Sequence, residues 1–306
     1  MTLLYQRTIK NIVKTSGIGL HSGKLTNITL RPLDVNSGII FRKINNHSEF
    51  IDIDASNNNT VNSELSTTIE KDGHTIKTIE HLMATFYGLG IDNIMVEVDN
   101  EEIPILDGSA SPFVYLIKSA GIELQSSRKK FIKILKPIEV FKDDAFVKFL
   151  PFNGFKASFQ VDFQHPSFNR KNQILEIDFS DVSFEDEISR ARTFGFVKDV
   201  EALRKKGLVM GGSINNAVVL DDFKVVNPKG LRFEDELIRH KILDALGDIC
   251  LLGHPLIGHF QAYKSGHSLN DSLCKKLLEM KDAYDIVDFS DKNNTPKFAL
   301  KSGWAF

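Results

Sequence analysis

Arg239-His240-Lys241-Ile242-Leu243-Asp244-Ala245-Leu246-Gly247-Asp248 is the stretch from which the rest of the chain is read. On a helix, His240 and Asp244 leave the same face, about 6 Å apart along the axis. Ile242, Leu243, Ala245, Leu246, Ile249, Leu251 and Leu252 supply the apolar remainder of a mostly buried helix. Two readings follow. An imidazole and a carboxylate one turn apart offer two ligands to a metal such as Zn²⁺. Alternatively they form an i,i+4 hydrogen bond that satisfies a core histidine.

The chain has 306 residues, 42% hydrophobic and 25% charged, enough for one large or two ordinary domains with a sizeable core. A formal net charge of −2 argues against a nucleic-acid partner. Cys250 and Cys274 form no disulfide framework, and Cys250 reads as a small core residue, which fits a reducing cytoplasm. Met1 to Lys14 lacks the apolar run of a signal peptide, and no stretch has the length of a transmembrane helix. The sequence names no protein partner.

The first half opens with short strands, among them 27–32 and 38–42. Between strands, Gly17-Ile18-Gly19-Leu20-His21-Ser22-Gly23 has the wrong spacing for a dinucleotide loop and reads as a turn, with His21 an exposed loop residue. A helix is expected from Thr78 as N-cap to a stop at Gly88 or Gly90, then a strand over 91–98. Ser111-Pro112 is expected to cap a second helix over 113–120. Gln125-Ser126-Ser127-Arg128-Lys129-Lys130 is polar and is expected to be a flexible boundary, dividing domains 1–127 and 128–306.

In the second half, strands are expected over 131–135, 138–141, 146–150 and 156–163. Residues 188–220 have a different texture: Arg190-Ala191-Arg192-Thr193-Phe194-Gly195-Phe196, a short helix near 199–206, a Gly211-Gly212-Ser213 turn, and a strand over 217–220. The His240 helix, a strand over 257–263 and a helix over about 270–281 follow. Each half thus runs strands, a helix with an inward histidine (His81 or His240), a strand and a helix. The expected class is α+β, with two similar two-layer α/β sandwiches facing each other and their helices packed between the two sheets. A metal at that interface takes His81 from one half and His240 and Asp244 from the other. Three ligands leave a fourth position for water, the open coordination of a catalytic zinc site. Glu80, directly before His81, points about 100° away and can flank the metal. Its bland reading is an acid favoured by the helix dipole.

The stretches Thr78-Ile79-Glu80-His81-Leu82, Gly90-Ile91-Asp92-Asn93, Ile103-Pro104-Ile105-Leu106-Asp107-Gly108-Ser109, Ser189 to Phe196, Arg232-Phe233-Glu234-Asp235-Glu236, Arg239 to Asp244 and Ala262-Tyr263-Lys264-Ser265-Gly266-His267 are together highly specific. Through them nearly the whole chain resembles the UDP-3-O-acyl-N-acetylglucosamine deacetylases, zinc hydrolases of lipid A biosynthesis in Gram-negative bacteria.

The resemblance implies that His81, His240 and Asp244 bind Zn²⁺ and that Glu80 is the general base. It makes His267 the acid that stabilises the oxyanion and protonates the leaving amine. Thr193 donates to the tetrahedral intermediate, and Asp248 orients or charges His267. Lys241, Lys264, Phe163 and Phe194 would contact the acylated UDP-sugar. Residues 188–220 would form a βαβ insert whose passage for the acyl chain is lined by Leu20, Val200, Val209, Gly212, Ser213, Ala217 and Val219, open beside Gly212. Leu65-Ser66-Thr67-Thr68 stands where several relatives have a cysteine-rich loop, and Ala145 where some have a lysine near the phosphates. Lys142 and Lys148 are the candidate replacements. The rivals are a zinc amidase for another acylated substrate and a catalytically silent nucleotide-sugar-binding protein. The second is disfavoured because all three ligands, Glu80 and His267 are present together.

Overall fold

Along Leu25–Pro32 the side chains of Thr26, Ile28 and Leu30 turn inward and their neighbours outward, the two-residue period of a strand with one covered face. Ala145–Leu150 does the same with Val147 and Phe149. These strands belong to two sheets, as seen in a computed structural model of the chain that describes residues 4–44, 50–61, 65–168, 173–180 and 182–289.

The two sheets share one topology. The first has the order Val13–Ile18, Leu25–Pro32, Ile94–Val98, Ile39–Ile44, Phe50–Asp54. In the second, Ile138–Lys142, Ala145–Leu150, Leu256–Tyr263, Phe155–Gln160 and Ile174–Asp178 take the corresponding places. In both, neighbours are antiparallel except the third and fourth strands, which are parallel. Phe131–Ile134 and Tyr284–Val287 extend the second sheet beyond the repeat. The duplication expected from the order of elements is thus present in strand order and direction.

Six helices occur among the described residues: α1 Glu80–Leu89, α2 Ser111–Ala120, α3 Phe184–Glu187, α4 Val197–Lys205, α5 Glu236–Cys250 and α6 His267–Glu279. The central strand of each sheet is preceded by α1 or α5 and followed by α2 or α6. All of α1 is buried, and so is all of α5 except Arg239 and Lys241. The two pack on each other in one core with Leu30 and Val96 of the first sheet and Phe149 and Phe260 of the second. Each fully buried side chain such as Leu82 or Phe86 contributes about 1.5–3 kcal/mol. The expected α+β architecture, with helices between two sheets, is the one the chain forms. Among the described residues no helix is long and apolar enough to cross a membrane.

Several local expectations change. Ile79, not Thr78, is the N-cap residue of α1; Thr78 has φ 58° and its hydroxyl donates to the buried Glu102 carboxylate, a tertiary bond that wins over the local cap. Ser111 lies inside α2 and Ala110 takes the cap position, while Pro112 sits in the first turn, where its missing N–H costs little. The stretch 125–130 is no flexible boundary. Ile122–Arg128 is a strand paired with Tyr5–Ile9, Gln125 accepts from Asn93 and donates to the Leu33 carbonyl, and Lys129 is buried on Asp92 at 2.9 Å. Its polar side chains are spent on partners far away in the chain. Finally, α6 begins at His267, three residues earlier than expected.

The insert is a βαβ unit: Phe194–Phe196, α4, then Val218–Leu220 parallel to the first strand. Its Gly211 marks a close approach, since a Cβ there would overlap the Gly19 carbonyl.

Candidate metal and catalytic site

Helix periodicity and the crossing of α1 with α5 bring His81, His240 and Asp244 together. One ligand atom from each lies within 4.8 Å of the others, and all three residues are buried. Asp244 Oδ1 is 3.3 Å from His240 Nε2 and 3.6 Å from His81 Nε2. The imidazoles meet edge to face, with centroids 4.9 Å apart. His240 Nδ1 faces the Ala191 carbonyl at 3.1 Å, which leaves Nε2 to the cluster. Burial pushes the His240 pKa down to about 3, so the ring stays neutral and keeps a free lone pair. Burial alone would raise Asp244, but His240, Lys241 and His81 outweigh it and hold the carboxyl well below its usual range. The His240 and His81 imidazoles and an ionised carboxylate at this spacing fit a divalent metal.

The Ala191 carbonyl is itself fixed. Glu236, at the start of α5 and fully buried, accepts from the Arg192 guanidinium at 2.8 and 3.0 Å and from its backbone N–H at 3.0 Å. It also accepts from the Arg232 N–H at 2.6 Å. Through these bonds Glu236, Arg192 and Arg232 fix the backbone next to the carbonyl that faces His240 Nδ1.

Glu80 and His267 flank the cluster in the same cavity. Glu80 Oε2 accepts the Thr67 N–H at 3.0 Å, and burial raises its pKa. His267 Nδ1 lies 3.1 Å from both Asp248 oxygens. Burial would lower His267, but Asp248, then Glu80 and Asp244, outweigh it and raise its pKa to about 10. The Asp248 carboxylate is held in turn by Thr67 Oγ1 at 2.6 Å and Asn270 Nδ2 at 2.8 Å.

A cavity of about 1310 Å³ joins this chamber to the insert. Every anticipated site residue lines it except Asp248, which stands behind His267. On the wall, Lys241 contacts Asp244 at 3.1 Å and lies over Phe194, while Phe163 packs on Phe194 with centroids 5.4 Å apart. Lys264 binds Asp144 and Asp162 at 2.7 and 2.9 Å, and those bonds raise its pKa. Lys142 lines the cavity with Ala145, whereas Lys148 is engaged by Glu139 at 3.0 Å. Leu20, Val200, Val209, Gly212, Ser213, Ala217 and Val219 complete the apolar part of the wall. The space beside Gly212 is not open: a Cβ there would meet Val209 Cγ1 at 2.5 Å. On the insert, Gly195 is open instead, with no described atom within 4 Å of its Cβ direction.

Two residues were misread or missed. His21 is 7% exposed, not an exposed loop residue, and it lines the cavity. Thr67 was read only as part of a departure, yet it contacts Glu80, Asp248 and, at 3.0 Å, His267 Nδ1. Four non-glycine residues on the cavity wall, Leu65, Thr78, Val209 and Lys264, have positive φ. Such strain clusters at working sites.

The family profile described as LpxC: UDP-3-O-acyl N-acetylglycosamine deacetylase matches residues 6–279. The chain belongs to this deacetylase family. It is also similar to a protein of Thioalkalivibrio sulfidiphilus (strain HL-EbGR7) named UDP-3-O-acyl-N-acetylglucosamine deacetylase, with 49% identity over 293 residues, 96% of each chain. The match to the family spans the first sheet, the second sheet apart from Tyr284–Val287, the insert and α6, so every element that lines the cavity is included.

Proposed function

We propose that this chain hydrolyses the N-acetyl group of UDP-3-O-acyl-N-acetylglucosamine, releasing acetate and UDP-3-O-acyl-glucosamine, in lipid A biosynthesis in the cytoplasm. The observation that carries the reading is one cavity that joins His81, His240 and Asp244, with Glu80 and His267 beside them, to an apolar pocket under the insert.

His81, His240 and Asp244 would hold Zn²⁺, which would supply Lewis acidity and a more acidic water. Glu80, fixed by the Thr67 N–H, takes a proton from the attacking water. The Thr193 hydroxyl donates to the oxyanion that forms as the carbonyl carbon becomes tetrahedral. His267 begins protonated, helped by Asp248, and gives its proton to the amine nitrogen as the C–N bond breaks. Lys241, Lys264, Phe163 and Phe194 hold the nucleotide-sugar part. Leu20, Val200, Val209, Gly212, Ser213, Ala217 and Val219 take the acyl chain. The site joins the units 1–127 and 128–306.

The test is acetate release from the acylated sugar nucleotide, measured with metal content before and after chelation. About one zinc per chain is expected. Chelation should abolish turnover while circular dichroism keeps most of its signal, because each sheet has its own packed face. A chelated protein as active as the untreated one would remove the metal from the mechanism.

A further inference from the structure

Glu102 is a buried acid, 2% exposed, that stands outside both the ligand cluster and the cavity wall. Its Oε1 accepts the His21 N–H at 2.7 Å and the Thr78 hydroxyl at 3.1 Å, and its Oε2 accepts the Ser22 N–H at 2.8 Å. The loop packs so closely on it that a Cβ on Gly19 would overlap the carboxylate. One carboxylate therefore ties two segments that are distant in sequence.

The first segment forms part of the cavity wall. Leu20 and His21 line it, and neither ring nitrogen of His21 has a hydrogen-bond partner among the described residues. Their carbonyls accept from the insert, Leu20 from the Gly211 N–H at 3.0 Å and His21 from the Met210 N–H at 3.1 Å. Loop and insert wall are therefore one hydrogen-bonded piece. The second segment leads into α1. Thr78, with φ 58°, lies two residues before Glu80. A β-branched residue holds that conformation only when its surroundings impose it. Glu102 is the group that holds its side chain.

Resting on the deacetylase reading above, we propose that Glu102 is a positioning residue which couples filling of the acyl passage to the placement of Glu80. A chain lodged against Leu20 fixes the loop. The loop fixes Glu102, and Glu102 fixes Thr78 and the start of α1. Binding energy from a remote part of the substrate is then expressed in kcat and not only in KM. Replacing the carboxylate by a carboxamide keeps the shape but turns an NH₂ towards N–H or O–H donors, so the bridge opens on one side.

The test compares wild type, Glu102→Gln and Thr78→Val on substrates with long and short 3-O-acyl chains, with kcat and KM measured separately and zinc content and Tm as controls. In wild type the long chain should have the higher kcat. In both variants zinc should be retained, and the long-to-short kcat ratio should fall to within about twofold of one, while KM for the long chain stays lower. If both substrates lose kcat by the same factor, Glu102 merely supports the fold and the coupling is wrong. Unchanged kcat in both variants overturns it equally. Should Glu102→Gln fail to fold, Thr78→Val, which cuts only the arm towards Glu80, decides by the same ratio. A wild-type enzyme active on both substrates with kcat independent of chain length ends the coupling alone. One inactive on both ends the deacetylase reading and the coupling with it.

Discussion

The Cα of Gly247 faces the carbonyl of Glu80 so closely that a methyl group there would overlap it. Glycine in mid-helix costs roughly 0.5–1 kcal/mol relative to alanine. Here it lets α5 lie against the first turn of α1, and that approach brings Asp244 and Asp248 to the side where Glu80 and His81 begin their helix. Gly247→Ala should therefore push the helices apart, although alanine is the better helix former. We expect a loss of stability of about 1–3 kcal/mol, the usual cost of overpacking, together with weaker zinc binding. Thermal melts and metal titration read both; a variant more stable than wild type with unchanged zinc affinity would show that the crossing tolerates the methyl.

Glu80→Ala should keep its metal, because Glu80 is not among the clustered ligand atoms. It should lose at least ~100-fold in turnover, the scale of a general base. Metal analysis alongside kcat separates the roles: zinc lost with activity would make Glu80 a ligand or its support.

For Asp248 and His267 the sign follows from the raised pKa. In the metal-free protein Asp248, with Glu80 and Asp244, outweighs burial and raises the His267 pKa to about 10 against an ordinary 6.5. The resulting stabilisation is complete below about 6.5 and is lost as pH rises towards 10. Bound zinc, a like charge, lowers the value in the holoenzyme. Asp248→Asn should lower it in both forms. NMR titration of the metal-free protein should show His267 titrating at lower pH, and the alkaline limb of the pH–rate profile should move the same way with zinc content unchanged. A limb that stays in place would detach Asp248 from the proton on His267.

The acyl passage is best probed at Gly195, where a Cβ meets no described atom within 4 Å, and not at Gly212, where a Cβ would meet Val209. Each buried methylene contributes about 0.8 kcal/mol. Gly195→Phe should raise KM for long-chain substrates far more than for short ones. An equal rise for both would place the chain elsewhere in the cavity.

The helix that carries His240 and Asp244 was legible because its information is local: an i,i+4 pair with apolar residues around it needs no knowledge of the rest of the chain. The repeat of sheets was legible for a similar reason, since strand and helix order repeats along the chain. Thr67 was not. Its bonds to Asp248 and His267 span 181 and 200 residues, and nothing in Ser66-Thr67-Thr68 announces them. The polar stretch at 125–130 misled for the same reason, because its side chains find partners near residues 33 and 93. Thr78 was drawn from its cap by Glu102, and Gly247 read as ordinary helix because its neighbour lies in the other half.

The matched halves carry an asymmetry. Four residues after His240, α5 has Asp244; four residues after His81, α1 has Thr85, whose hydroxyl bonds back to the His81 carbonyl at 2.8 Å. A symmetric pair of helices would bring four ligand groups to the crossing, two from each. Thr85 offers none there. On the proposed metal site, that departure from symmetry would separate a sealed structural centre from one with a place for a reactant, and neither half alone would bring enough ligands to hold an ion.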